Sequence, residues 1–392
     1  MKKIELLSPA GDLERLKVTL LYGADACYIG GYKYGLRANA VNFSIDEIKE
    51  ACSFAHNLGK KVYLTMNMVF HNEDYEEVKD YIKEVVESGI DAFILSELNL
   101  VKYIKENYPN VEVHISTQNT NTNYLSVKFL KSLGVDRVVL AREVGIDDIE
   151  KIGQIVDVDL EVFIHGAMCT FYSGRCALSS YFTNRDANRG GCSQVCRFLF
   201  KDEKDSFFSL ATKDLNLIDY ITKLIDLNVA SLKVEGRMRS IYYLATVIGT
   251  YRKLIDKYIS NTLTDEDINK FKENLERVSN RENSSQYMKN EIDYNDQYYL
   301  TERSEKSNQD FLALVLSYDR KEKILYLKQR NLFSKGDNVV LFTPKDELSF
   351  IVDEIYDDKN NLIEVANQAD SYVKIKLDVD FEVDKYAMIK KG

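Results

Sequence analysis

Lys61-Val62-Tyr63-Leu64-Thr65, then Asp74 to Glu87, then Ala92-Phe93-Ile94-Leu95 read in order as strand, helix and strand. The outer runs are β-rich and apolar. The middle run places Tyr75, Val78, Ile82, Val85 and Val86 on one helical face, with charged residues between them. Upstream, Ile4-Glu5-Leu6-Leu7 and Ala26-Cys27-Tyr28-Ile29 repeat the strand signal. Downstream it recurs at Val111 to Ser116, Arg137 to Leu140, Leu160 to Ile164 and Ser231 to Val234, eight runs in all. Helical patterns fill the gaps near Asp12–Tyr22, Ser44–Leu58, Asn99–Asn107, Asn123–Leu133 and Asp147–Ile155. Ser44-Ile45-Asp46-Glu47 reads as a capping box, and Gly23, Gly59, Gly89 and Gly134 stand where helices should stop.

Eight βα repeats of about 20–35 residues predict a (β/α)8 TIM-like barrel. A doubly wound open sheet is the alternative, but no GxGxxG follows the first strand. The interval after the seventh strand is far longer than the others and predicts a long Cys-rich insertion at the C-terminal face of the barrel. Past residue 310 the pattern changes to short β runs, such as Leu312 to Leu316, Lys323 to Leu327 and Asn338 to Phe342. Turn signals such as Lys335-Gly336-Asp337 separate them. The expected layout is a barrel over residues 1–258 containing a cysteine box at 165–197, a helical and polar connecting region at 259–305 with its helix near Asp265–Val278, and a small all-β barrel-like domain at 306–392.

The chain has 392 residues, 45% of them hydrophobic and 29% charged, which suits a folded protein of two domains. A net charge of -10 excludes a globally basic nucleic-acid footprint but not a local one. From His165 to Ser240 there are 11 Lys and Arg against 8 Asp and Glu, so this segment is basic on an acidic chain. Met1-Lys2-Lys3 is followed by an apolar run too short for a signal peptide, and no run is long enough to span a bilayer. No membrane association and a cytoplasmic location are expected.

Four of the six cysteines crowd into one segment: Cys169, Cys176, Cys192 and Cys196, spaced C-x6-C-x15-C-x3-C. Such clustering in a reducing compartment favours metal or cluster ligation over disulfides. Glycines at 174, 190 and 191, together with Arg175, Arg185, Arg189 and Arg197, would accommodate a bulky anionic group, so a [4Fe-4S] cluster is preferred over zinc. A catalytic thiol is the remaining option. Cys27 and Cys52 read as core residues.

Several motifs together resemble the peptidase U32 family, the collagenase-like proteases. They are Leu7-Ser8-Pro9-Ala10-Gly11, Tyr28-Ile29-Gly30-Gly31, Val113 to Gln118, His165-Gly166-Ala167-Met168-Cys169, Arg185 to Arg197, and Lys233-Val234-Glu235-Gly236-Arg237. The resemblance covers residues 1 to about 255 and, more weakly, the C-terminal domain. It implies an enzyme of RNA or of small aromatic compounds. The layout most resembles the branch that makes wobble 5-hydroxyuridine in tRNA without oxygen, with prephenate as co-substrate and a [4Fe-4S] cluster held by the four cysteines. Alternatives within the family are a peptidase, 23S rRNA cytidine hydroxylation, other small-aromatic hydroxylation, and a partner subunit of a paralogue. Ser279 to Ser285 lacks the glycines of the family's pattern, so no role carries over to Arg281.

Polar residues at the C-terminal strand ends should converge on the barrel mouth. His165, Glu235, Gln118 and Glu97 are the catalytic candidates, with a purely structural hydrogen bond the competing use of His165. Asn67, Arg142, Arg185, Arg189, Arg197 and Arg237 are candidates for binding substrate. Arg142-Glu143 also reads as a local pair. Arg237 and Arg239 suit a phosphate or dicarboxylate, or else form a solvated pair at a helix start. Tyr172, Tyr181, Phe182 and Phe198 are placed either to stack an exposed base at the tRNA anticodon or to shield a cluster from water.

Overall fold

The computed structural model describes residues 4–36, 42–289, 309–383 and 385–392. The basic start at 1–3, the connecting region from 290 to 305 and the expected domain start at 306 lie outside the described residues. The N-terminal strands are β1 (Glu5–Pro9), β2 (Ala26–Gly30), β3 (Lys61–Met66), β4 (Ala92–Leu95), β5 (Glu112–Ile115), β6 (Arg137–Val139) and β7 (Asp159–Gly166). After β8 (Phe200–Lys201), β9 (Phe207–Phe208) and β10 (Asp214–Asn216) comes β11 (Ser231–Val234). Strands β1 to β7 pair in sequence, all parallel, and β11 pairs parallel with both β1 and β7. That double pairing closes an eight-stranded TIM-like barrel and excludes the open sheet.

Helices α1 (Leu13–Leu21), α2 (Ile45–Asn57), α3 (Val78–Glu87), α4 (Asn99–Asn107), α5 (Tyr124–Ser132) and α6 (Ile146–Ile155) alternate with the strands. The Ser44/Glu47 capping box forms, and Asp12 and Asn123 cap α1 and α5. The helix expected from Asp74 begins only at Val78. The Asp74 carboxylate accepts from the His71 amide at 2.6 Å and from Arg189, which keeps 72–75 as a 3-10 turn.

The barrel strands obey period two. Leu6, Ile29, Leu64, Phe93, Val113, Val138 and Val162 face the helices in the main core. Burying each such side chain stabilises by about 1.5–3 kcal/mol. The alternate positions point inward, and the interior is only partly apolar. Leu7, Ala26, Tyr28, Tyr63, Ala92 and Ile94 form a small cluster. Beside it lies a buried ion network of Glu5, Arg137, Glu161 and Lys233.

The segment between β7 and β11 does not form a distinct Cys-rich insertion. It carries α7 (Leu178–Thr183), the β8–β9 hairpin, β10 and α8 (Ile221–Asp226). Strand β10 pairs antiparallel with the end of β7, Leu215 opposite Gly166 and Asn216 opposite His165, so the segment is stitched back into the barrel sheet. Helix α9 (Ile241–Ile259) is buried along most of its length against α1 and β1, and α10 (Asp265–Val278) packs on it.

The C-terminal part is a separate antiparallel β half-barrel. Its main strands are Phe311–Asp319, Ile324–Gln329, Asn338–Phe342, Glu347–Ile351, Tyr372–Lys376 and Met388–Lys391. Leu325, Leu327, Val339, Leu341, Ile355 and Ile375 give it a core of its own. Among the described residues no helix is long and apolar enough to cross a membrane.

Candidate functional site at the barrel mouth

A cavity open to solvent occupies the C-terminal end of the barrel. Tyr28, Thr65, Ile94, Phe163 and Lys233 reach it as the inward residues of their strands, and Ser116 from the position directly after β5. Leu36, Asn67, Thr117, Gln118, Arg142, Glu235 and Arg237 come from the loops beyond the strand ends.

Five candidates therefore meet in one place: Asn67, Gln118, Arg142, Glu235 and Arg237. Asn67 donates to Ser116 Oγ at 3.4 Å and accepts from the Leu36 amide at 3.4 Å. Gln118 lies on a 3-10 turn, and its amide is capped by Ser116 Oγ. The Arg142 guanidinium sits 3.9 Å from the centre of the Phe163 ring and 3.6 Å from Glu235 Oε2, which also accepts from Tyr28 Oη at 3.2 Å. The ring contact alone contributes on the order of 1 kcal/mol. Arg142 and Glu143 are not a local pair. Glu143 turns away and accepts from the Ser173 amide at 2.7 Å and from its hydroxyl.

Lys233, Tyr28, Thr65, Ser116 and Phe163 also line the cavity, although sequence reasoning did not single them out as site residues. Lys233 carried a usable signal: Ser231, Lys233 and Glu235 alternate with Leu232 and Val234, so polar groups at period two mark the inner face of a barrel strand.

His165 is placed elsewhere. The β7–β11 register shifts between Phe163 and His165, a bulge that turns His165 out of the barrel. Its Nδ1 lies 3.1 Å from Tyr251 Oη on α9, and burial drives the imidazole down to about 3, so it is neutral. Glu97 accepts from the amide and side chain of Asn99 at the start of α4 and does not line the cavity. Ser8 is fully buried. Arg239 binds Asp214 at 2.7 Å and Asn280 at 3.2 Å, and Arg281 joins the same Asp214 at 3.2 Å.

In the segment after β7, Arg189 grips Asp74 through both terminal nitrogens and donates to the Val69 carbonyl at 2.7 Å. Arg197 donates to Gln194 at 2.6 Å, and Arg185 is exposed. Tyr172, Tyr181, Phe182 and Phe198 are exposed.

The expected [4Fe-4S] cluster is corrected by the geometry. Among the described residues no three His, Cys, Asp or Glu side chains form a group that could hold a metal ion. Cys169, Cys176, Cys192 and Cys196, all described, form no such group. The Cys176 sulfur accepts from the Leu178 amide at 3.4 Å at the start of α7, and Cys192 is exposed. Burial above all, with smaller contributions from nearby cysteines, pushes the Cys169 and Cys196 thiols up. Spacing brought the sulfurs into one segment, but not to one point. Cys27 and Cys52 are buried, and burial pushes both thiols up to about 12.

The site as it stands offers three cations, one carboxylate, hydroxyl and amide groups and two aromatic rings. Such a site suits a small anionic ligand that has an unsaturated or ring portion.

Comparison with known proteins agrees on the family. The sequence profile of Peptidase family U32 matches residues 11–298, and that of the Peptidase family U32 C-terminal domain matches residues 307–390. The chain is 42% identical over 405 residues to tRNA hydroxylation protein P1 of Bacillus subtilis, covering 100% of this chain and 95% of that protein. It is 30% identical over 447 residues to tRNA hydroxylation protein P of Escherichia coli, covering 100% and 97%. With the 23S rRNA 5-hydroxycytidine C2501 synthase of Escherichia coli it shares 38% identity over 264 residues, 66% of this chain and 40% of that protein. With both domains matched and full-length similarity to the tRNA hydroxylation proteins, the chain belongs to peptidase family U32.

Proposed function

We propose that this chain is a tRNA-modifying enzyme that introduces the 5-hydroxyl of wobble uridine, with prephenate as co-substrate in the barrel-mouth cavity. The observation that carries the reading is the cavity's charge: Arg142, Lys233 and Arg237 against the single carboxylate Glu235, with Tyr28 and Phe163 beside them. Prephenate is a dianion with an unsaturated ring, and both features are matched. Arg142, stacked on Phe163 and facing Glu235, is oriented to present its guanidinium to a carboxylate. Asn67 and Gln118 supply neutral donors and acceptors across the opening. In this reading the barrel at 1–258 carries the chemistry, and the segment after β7, with its exposed aromatics and Arg185 and Arg197, receives the anticodon. Full-length similarity to tRNA hydroxylation proteins supports tRNA over ribosomal RNA, since the ribosomal-RNA relative is matched over only part of either chain.

Peptide hydrolysis is the weaker reading. Among the described residues neither a cysteine nor a histidine lines the cavity, and His165, the histidine nearest the mouth in sequence, faces α9.

The test is genetic. Deleting the gene, with any paralogue also removed, should abolish wobble 5-hydroxyuridine in bulk tRNA measured by nucleoside mass spectrometry. Blocking prephenate synthesis in the intact strain should lower it likewise. Unchanged modification in both strains would remove the proposal.

A further inference from the structure

We infer that Lys233 is the anion-contacting group on the cavity floor, and that the sealed carboxylate of Glu161 is the positioning residue that holds it there. This rests on the reading of the cavity as a dicarboxylate site and adds to it two residues of the barrel interior.

Lys233 is only 4% exposed, yet it lines the cavity. Its ammonium lies 4.5 Å from the centre of the Tyr28 ring and 5.3 Å from that of Phe163. A lysine with four rotatable bonds would ordinarily leave such a place for water. Here Nζ is tied to Glu161 Oε1 at 2.7 Å. Glu161 has no exposed surface and does not line the cavity. Its other oxygen is held at 3.1 Å by Arg137, which is fixed in turn by Glu5 at 2.6 Å. Burial is the largest influence on Glu161 and opposes its charge. The charges of Lys233 and Arg137 outweigh it. The chain Glu5–Arg137–Glu161–Lys233 thus crosses the barrel interior and ends at the cavity. One donor of the ammonium is used below, by Glu161, and its other donors remain for a carboxylate above. Preorganisation of this kind spares the ligand the entropy of ordering a lysine.

The experiment is calorimetric titration of the purified full chain with prephenate, run on wild type, Lys233→Met, Lys233→Arg, Glu161→Gln, Glu161→Asp and the Lys233→Met/Glu161→Gln double variant. Lys233→Met should weaken binding by about tenfold or more, the loss of one charge-assisted contact, and Lys233→Arg should restore part of it. Glu161→Gln should weaken binding comparably and Glu161→Asp less, while Glu161→Gln adds nothing on the Lys233→Met background. The double variant removes both charges of the pair and so guards against a single variant that fails to fold. Wild-type affinity in Lys233→Met, or an added loss from Glu161→Gln in the double variant, would overturn this inference and leave the dicarboxylate reading standing. Absence of prephenate binding by wild type would overturn both.

Discussion

His165 shows what one irregular backbone step does to a side chain's chemistry. Glu161 and Phe163 point into the barrel, and strict alternation would send His165 after them to the mouth. The bulge opposite Lys233 and Val234 redirects it. Gly166, at φ 111° and with an added Cβ only 2.3 Å from the Glu235 carbonyl, allows the strand to leave the bulge, a conformation and an approach that favour glycine. The imidazole is consequently a buried, neutral group between Tyr251 and Tyr243. Its folded pKa of about 3 lies below the ordinary 6.5, so the unfolded chain binds the proton more tightly. The stabilisation is therefore whole above about pH 6.5 and is lost as pH falls towards 3, by on the order of a few kcal/mol. Thermal unfolding followed between pH 7 and 4 should show a steeper fall for wild type than for His165→Gln, which cannot be protonated. Parallel curves would place the imidazole in water.

Among the elements, the connection that needs explaining is how the segment after β7 is held over the mouth. Arg189 joins it to the loop after β3 by gripping Asp74, and Glu143 after β6 holds Ser173. Two loops from different strands therefore clamp one segment. Because the Arg189 side chain is 22% exposed, its ion pair is partly screened and should contribute on the order of 1 kcal/mol. Arg189→Ala should speed amide exchange over residues 171–198 and leave the barrel strands as protected as in wild type. Unaltered exchange in that segment would show that the clamp does not hold it.

The same elements show what sequence alone conveys. All eight barrel strands, the capping box at Ser44 and the span of α10 were legible, because each is written in local periodicity or cap chemistry. The convergence of Asn67, Gln118, Arg142, Glu235 and Arg237 followed from the barrel geometry. The bulge at His165 was not legible, since it arises from pairing with a strand some 70 residues away. Nor was the spread of the cysteine sulfurs, because spacing along a loop does not fix its path. Lys233 was passed over because a buried lysine is unusual unless paired, and its partner Glu161 lies on another strand.

At the scale of the molecule, the half-barrel has its own core yet rests on the barrel. Tyr22 Oη on the α1 side donates to the Phe342 and Tyr386 carbonyls, both at 3.1 Å, and Tyr242 of α9 stacks on Phe311 at 5.3 Å. Leu314, Phe342 and Met388 belong to the barrel's own core cluster. The chain is acidic overall, with a net charge of -10, so under the proposed reading an RNA partner would meet it locally, at the end of the barrel that carries the cationic cavity. The most direct measurement is wobble 5-hydroxyuridine, by mass spectrometry of tRNA nucleosides, in a deletion strain carrying wild type, Arg142→Met or Lys233→Met at equal folded abundance. The account predicts full restoration by wild type and restoration reduced about tenfold or more by each variant. Restoration by both variants to the wild-type level would show that the cavity at the barrel mouth is not where the reaction is supplied.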